Sequence, residues 1–349
     1  MPSIQALISV WIIWHKLFYS MKDTLHGGYL SMKILITDKM ADEAIELLKD
    51  AGHDVTYDEM DHNTLLKSIA KYDALMVRSR TKATEDIVQK GAEGSLQVIG
   101  RAGIGVDNID IKKAGSLGIK VVNAPTGATI SVAELTIGHM LSLSRFLTKA
   151  DKSMKNGEWI KKQLKGTELH GKTLGLVGCG NIGQKTAELA RAFGMNVIGF
   201  DPFIAEELLA KQHITKKATL EEIVKAADII SLHLPHTEKT HYIIDENMLS
   251  LMKPSALLVN CARGGTVDES ALYNALKNDK LAGAALDVFE HEPFKESKLT
   301  SLENIVFSPH MGANTKEGQI RAGTVCAEQV MKVLNGETPD HWVNKAFMN

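Results

Sequence analysis

Cysteine is scarce. The 349 residues contain three, Cys179, Cys261 and Cys326. They show neither paired nor metal-ligand spacing, which excludes a disulfide framework, gives no metal site and fits a reducing, cytoplasmic setting. An excess of charge of one sign is also missing: 40 Lys and Arg stand against 42 Asp and Glu, for a net charge of -2. No basic run offers a footprint for a phosphate backbone, so nucleic acid is not expected as a partner. Long hydrophobic runs are absent too. The apolar stretch Ala6 to Trp14 is broken by His15 and Lys16, and it is too short to span a bilayer. It lacks the basic start and small-residue cleavage site of a signal peptide. Residues 1–31 are expected to lie outside the fold, as an extension upstream of the true start; a membrane-peripheral anchor is the alternative. Neither an internal repeat nor a low-complexity stretch is visible.

What remains is an ordinary globular composition, 44% hydrophobic and 23% charged, on a chain long enough for two domains. From Met32 onward, short aliphatic or β-branched runs alternate with helix-period segments, the pattern of parallel sheets with crossover helices. Ile34–Thr37, Ala74–Val77, Gln97–Gly100 and Lys120–Asn123 read as strands, and Ala41–Ala51 as a helix. Two helical stretches, Ser131–Ser144 and Phe146–Asn156, lead into a second alternation. Its strands are Thr173–Val177, Asn196–Phe200, Ile229–Leu232, Ala256–Asn260, Ala284–Asp287 and Ile305–Ser308, and a helix over Thr315–Leu334 follows.

The first strand of the second alternation runs into Gly178-Cys179-Gly180-Asn181-Ile182-Gly183, with a helix-period segment at Gln184–Phe193. Glycines there permit a tight turn and a close backbone approach to a pyrophosphate, and a helix N-terminus supplies N–H groups for that anion. A lone G-x-G-x-x-G is weak evidence. Here it lies between strand and helix, and Asp201 ends the next strand, 18 residues beyond Gly183. Its carboxylate can accept from ribose hydroxyls and would repel a 2′-phosphate, so the expected cofactor is NAD.

A dinucleotide domain does not specify a reaction. Polar residues after later strands do more, because open α/β sheets bind ligands there. Arg263 follows Ala256–Asn260, Glu292 follows Ala284–Asp287, and His310 follows Ile305–Ser308. Oxidation of a 2-hydroxy acid needs a base for the hydroxyl proton, an acid that holds the base, and a cation that grips the carboxylate. His, Glu and Arg suit these roles. Taken singly, each residue has a plainer reading as a structural hydrogen-bonder or a solvated loop residue.

Four runs, GKTLGLVGCGNIG (171–183), NCARGGTVDESAL (260–272), GAALDVFEHEP (283–293) and SPHMGANT (308–315), resemble the signature blocks of the D-isomer-specific 2-hydroxyacid dehydrogenases in order and spacing. The resemblance implies two doubly wound parallel-sheet α/β domains, with a Rossmann NAD-binding domain (130–311) inserted into a flavodoxin-like substrate domain (32–129 and 312–349). It implies catalysis by Arg263, Glu292 and His310. Around the cofactor it places Gly178, Gly180, Asn181, Ile182, Gly183, Asp201, Leu234, Pro235, Cys261, Ala262, Asp287, Gly312 and Ala313. It also implies a homodimer or homotetramer, with the helices near Ser131–Asn156 in the interface.

Substrate choice is expected in the N-terminal half. Arg78, Ser79 and Arg80 follow one strand, and Arg101, Ala102 and Gly103 follow another. Arginines with small N–H donors suit a dianionic phosphate. This half resembles the subgroup of the family that handles a phosphorylated hydroxy acid, and the resemblance puts the substrate on Arg78, Ser79, Arg101, Ala102 and Gly103. Ile104 is carried over as a cofactor contact, although it stands where animal-type members are expected to have Thr. The expected reaction is NAD-dependent oxidation of D-3-phosphoglycerate to 3-phosphohydroxypyruvate, the entry to serine biosynthesis. Hydroxypyruvate or glyoxylate reduction on the same scaffold is the alternative, and an NADH-sensing, corepressor-like binding role is a more distant one. Only Gly336–Asn349 follow the last helix, so a short form without a C-terminal regulatory domain is expected, insensitive to serine through such a domain.

Overall fold

The computed structural model describes residues 31–348. The expectation for residues 1–31 therefore falls, apart from Ser31, outside the described residues. The described residues form two compact units, one drawn from residues 31–127 and 319–348 and the other from Ala128–Gly318. The divisions fall at 127/128 and 318/319, against expected boundaries of 129/130 and 311/312.

The first unit is a five-stranded sheet: β1 (Lys33–Ile36), β2 (Asp54–Tyr57), β3 (Ala74–Val77), β4 (Val98–Arg101) and β5 (Lys120–Asn123). The order is β2-β1-β3-β4-β5 and every pairing is parallel. Successive side chains on a strand point to opposite faces, and both faces here are covered. Ile34, Ile36, Met76 and Val122 pack in one apolar cluster with Cys326 and Val330 of the helix Lys316–Leu334. Leu35, Leu75, Val77, Ile99 and Val121 pack in another, against Leu65, Ile87 and Val88. Continuous aliphatic strands of this kind belong to parallel sheets buried on both sides. Order reverses between β1 and β3, and their C-terminal ends lead into the loops at Thr37–Lys39 and Arg78–Thr81.

The second unit is a seven-stranded sheet: β6 (Thr173–Val177), β7 (Asn196–Phe200), β8 (Thr215–Lys216), β9 (Ile229–Leu232), β10 (Leu257–Asn260), β11 (Gly283–Leu286) and β12 (Ile305–Phe307). The order β12-β11-β10-β9-β6-β7-β8 is again parallel throughout. This is the doubly wound dinucleotide-binding arrangement, with its crevice where the order reverses beside β6. The short strands β2 and β8 and the short helices Glu85–Ala92, Leu220–Ala226 and Glu269–Lys277 were not legible as separate elements in the sequence. Among the described residues no helix is long and apolar enough to cross a membrane.

Candidate active site

The glycine loop leaves β6 at Gly178, whose φ of +91° suits glycine. A Cβ there would run into the carbonyl of His233, and one on Gly183 would stand 2.5 Å from the carbonyl of Gly178. Gly180 differs: a Cβ added to it would meet nothing within 4 Å. Two glycines are thus required by the fold, and the third borders open space at the start of the helix Asn181–Ala192. Asp201 is 9% exposed after β7; its Oδ2 accepts from the Cys179 N–H at 2.9 Å and its Oδ1 from the Phe203 N–H at 2.9 Å. These bonds tie the carboxylate to the glycine loop. The cradle fits a dinucleotide, with bare backbone and a helix N-terminus for the pyrophosphate and a fixed carboxylate for a ribose diol. Leu234 and Pro235 leave the end of the adjacent strand β9. Burial pushes the Cys179 and Cys261 thiols up to about 12, so both stay protonated and chemically quiet.

Arg263, Glu292 and His310 leave the C-terminal ends of β10, β11 and β12, three neighbours in one sheet. Asn260 knits the first turn. Its Oδ1 accepts from the Ala262 N–H at 3.0 Å, and its Nδ2 donates to the Arg263 carbonyl at 3.0 Å. The Thr266 hydroxyl donates to that same carbonyl at 2.7 Å. A Cβ on Gly264 would collide with the carbonyl of Phe289, so this turn lies directly against the loop that carries Glu292. That loop is anchored by stacked rings, Phe289 on Phe294 at 4.1 Å and Phe294 on Phe307 at 5.5 Å.

His310 Nδ1 lies 2.7 Å from Glu292 Oε2, while Glu292 Oε1 accepts from the Phe289 N–H at 3.1 Å. The pair leaves Nε2 of the imidazole as the nitrogen available to a substrate. His310 holds a left-handed backbone, φ +50°, a conformation uncommon outside glycine and one that clusters at functional sites. Asp287 imposes it. Its carbonyl accepts from the His310 N–H at 2.7 Å, its Oδ1 from the Met311 N–H at 2.9 Å and the Ser308 hydroxyl at 2.6 Å, and its Oδ2 from the Gly312 N–H at 2.9 Å. The Ser308 hydroxyl is 2.9 Å from Nε2 of His139. Because that hydroxyl donates its proton to Asp287, Nε2 of His139 carries the donor hydrogen. Asp287, expected from the resemblance to touch the cofactor, therefore holds the His310 loop through both carboxylate oxygens. Cys261 and Ala262 are buried, whereas Ala313 is exposed.

The remaining expected residues lie in the first unit. Arg78, Ser79 and Arg80 follow β3; Arg101, Ala102, Gly103 and Ile104 end or follow β4. Ala102 N–H donates to the Val77 carbonyl at 2.9 Å, which brings the two loops side by side. Arg80 is engaged with the unit itself, through Asp38, the Met60 carbonyl at 3.2 Å and the Thr37 carbonyl. Sequence reasoning missed Asp38, Asn108, Asn260, Ser308 and His139. Of these, Asn260 and Ser308 open two of the quoted runs, NCARGGTVDESAL and SPHMGANT, which could have drawn attention to them.

Residues 137–312 match the D-isomer specific 2-hydroxyacid dehydrogenase, NAD binding domain. The D-3-phosphoglycerate dehydrogenase of Methanocaldococcus jannaschii is 49% identical over 313 residues, 90% of this chain and 59% of the relative. The hydroxypyruvate reductase of Thermotoga maritima is 45% identical over 306 residues, 86% of this chain and 98% of the relative. Among solved structures, the TT0316 protein from Thermus thermophilus superposes with a TM-score of 0.80 at 32% identity, over 89% of this chain and all of that one. The chain therefore belongs to the D-isomer specific 2-hydroxyacid dehydrogenase family, and its second unit carries that family's NAD-binding domain. It spans somewhat over half the length, 55–59%, of the phosphoglycerate dehydrogenases it matches.

Proposed function

We propose that this protein oxidises D-3-phosphoglycerate to 3-phosphohydroxypyruvate, a step that feeds serine biosynthesis. The observation that carries the reading is the His310–Glu292 pair at 2.7 Å, at the C-terminal strand ends of the sheet whose first strand leads into the glycine cradle. NAD, when bound, supplies the hydride acceptor. His310 takes the hydroxyl proton on Nε2, and Glu292, bonded at Nδ1, holds the ring in place for it. Arg263 grips the substrate carboxylate and polarises the forming carbonyl. Arg78, Ser79 and Arg101 take the phosphate, and Ala102 and Gly103, whose N–H groups are bonded to the Val77 and Arg101 carbonyls, border it; Asn181, Ile182, Asp201, Leu234, Pro235, Ala262, Gly312, Ala313 and Ile104 line the cofactor.

We propose further that the enzyme is a homodimer or homotetramer. Exposed Phe146, Leu147, Met154 and Trp159, the last 79% exposed, support an interface at the helices Thr129–Arg145 and Leu147–Lys155. The three buried, unbridged cysteines support a cytoplasmic setting.

A second reading, hydroxypyruvate reduction, is favoured by the relative of that name, whose whole length this chain nearly covers. NADH absorbance separates the two. The purified protein is offered 3-phosphohydroxypyruvate, hydroxypyruvate and glyoxylate in turn. Strong preference for the phosphorylated acid is expected. Preference for an unphosphorylated acid would move the chain to the reductases, and tight NADH binding without turnover would favour a sensor.

A further inference from the structure

Within the first unit the β1–β3 reversal point is built around a buried carboxylate that no part of the proposed chemistry uses. Asp38 is 3% exposed and follows β1. Its Oδ2 accepts from the Arg78 N–H at 2.5 Å, and its Oδ1 from the Thr81 hydroxyl at 2.5 Å. The Thr81 N–H is 3.2 Å from both oxygens. Arg80 Nε closes the set as an ion pair at 3.3 Å. From the other side Asn108 Nδ2, in the loop after β4, donates to the carbonyls of Arg78 at 2.8 Å and Thr81 at 2.6 Å.

The first and last residues of the Arg78–Thr81 turn are thus clamped through both their N–H and C=O groups. Ser79, at its tip, is exposed, and neither its N–H nor its hydroxyl has a partner among the described residues. The Arg78 guanidinium reaches the Lys39 carbonyl at 3.1 Å and pairs with no carboxylate among the described residues. A buried carboxylate beside an anion site would repel the anion unless matched, and Arg80 provides the match. The turn also lies where an open α/β sheet reverses its strand order, the place such sheets bind ligands.

We infer that Asp38 is a positioning residue for recognition of a phosphorylated substrate: it shapes the Arg78–Thr81 turn and, by engaging Arg80, leaves Arg78 and Ser79 to meet the anion. This rests on the substrate reading above. Arg80 is then the counter-ion of Asp38, not a phosphate ligand.

The test compares Asp38→Asn, Arg80→Gln and the double variant with wild type in steady-state kinetics on 3-phosphohydroxypyruvate, with NADH affinity measured by fluorescence. Asp38→Asn is expected to raise KM at least about fivefold, with kcat within about threefold and NADH affinity unchanged, because loss of binding alone moves KM. Arg80→Gln is expected to raise KM as well, and the double variant to be no worse than Asp38→Asn, since the two residues act as one unit. A smaller KM rise, a comparable loss of kcat, or a double variant worse by the full Arg80→Gln factor would overturn the inference. Should Asp38→Asn fail to fold, Arg80→Gln decides: its guanidinium is half-exposed, and a KM equal to wild type would overturn it. Wild type that does not prefer the phosphorylated acid would defeat the substrate reading; wild-type preference with unresponsive variants defeats this inference alone.

Discussion

His233 lies against the glycine loop, its Nε2 3.0 Å from the Ser231 hydroxyl and its Nδ1 shut off from solvent without a partner among the described residues. The cost of burying charge lowers its pKa from 6.5 to about 3, and burial lowers that of His139 as well. The folded protein holds such an imidazole neutral, while the unfolded chain protonates it near 6.5. The stability it contributes is therefore present above about pH 6.5 and is lost as pH falls from there toward 3. Urea unfolding across that range should show a shallower loss in His233→Gln than in wild type, and equal slopes would contradict the assignment. Residues of this scale divided sharply in legibility. The strand-end placement of Arg263, Glu292 and His310 could be read because each follows a continuous aliphatic run. The partners of Asp38, Ser308 and His139 could not: they lie 43, 21 and 169 residues away in sequence, a separation no local pattern encodes.

At the scale of elements, the glycine loop separates what the fold needs from what a ligand needs. Gly178→Ala forces a side chain into positive φ and against the His233 carbonyl, at a cost of roughly 1–3 kcal/mol or more. It should lower the melting temperature. Gly180→Ala meets open space, so the melting temperature of the apo protein should stay close to wild type while NADH affinity falls by about tenfold or more. Melting curves with and without NADH check both; a Gly180→Ala protein that binds NADH normally would remove the pyrophosphate from this loop. Strands of three to five aliphatic residues were visible in the sequence because both sheet faces are buried and the runs are continuous. The strands β2 and β8 were not. Asp54–Tyr57 has no fully buried residue and Thr215–Lys216 has only two residues, too little apolar signal to stand out.

For the whole molecule, the two-unit organisation was legible because one alternating pattern stops at the helices near Ser131–Asn156 and another begins at Thr173. The second division at 318/319 falls inside the helix Lys316–Leu334, whose periodicity runs on without a break. The family relationship makes hydride transfer the central claim, with His310 as the proton carrier. The most direct measurement incubates wild type and His310→Asn with deuterium-labelled NADH and 3-phosphohydroxypyruvate and examines the product by NMR. Wild type should deliver deuterium to the carbon that bears the new hydroxyl. His310→Asn should do so about 10²–10⁴-fold more slowly while binding the nucleotide as tightly as wild type. Nucleotide binding without deuterium transfer by wild type, or transfer at an undiminished rate by His310→Asn, would contradict the account.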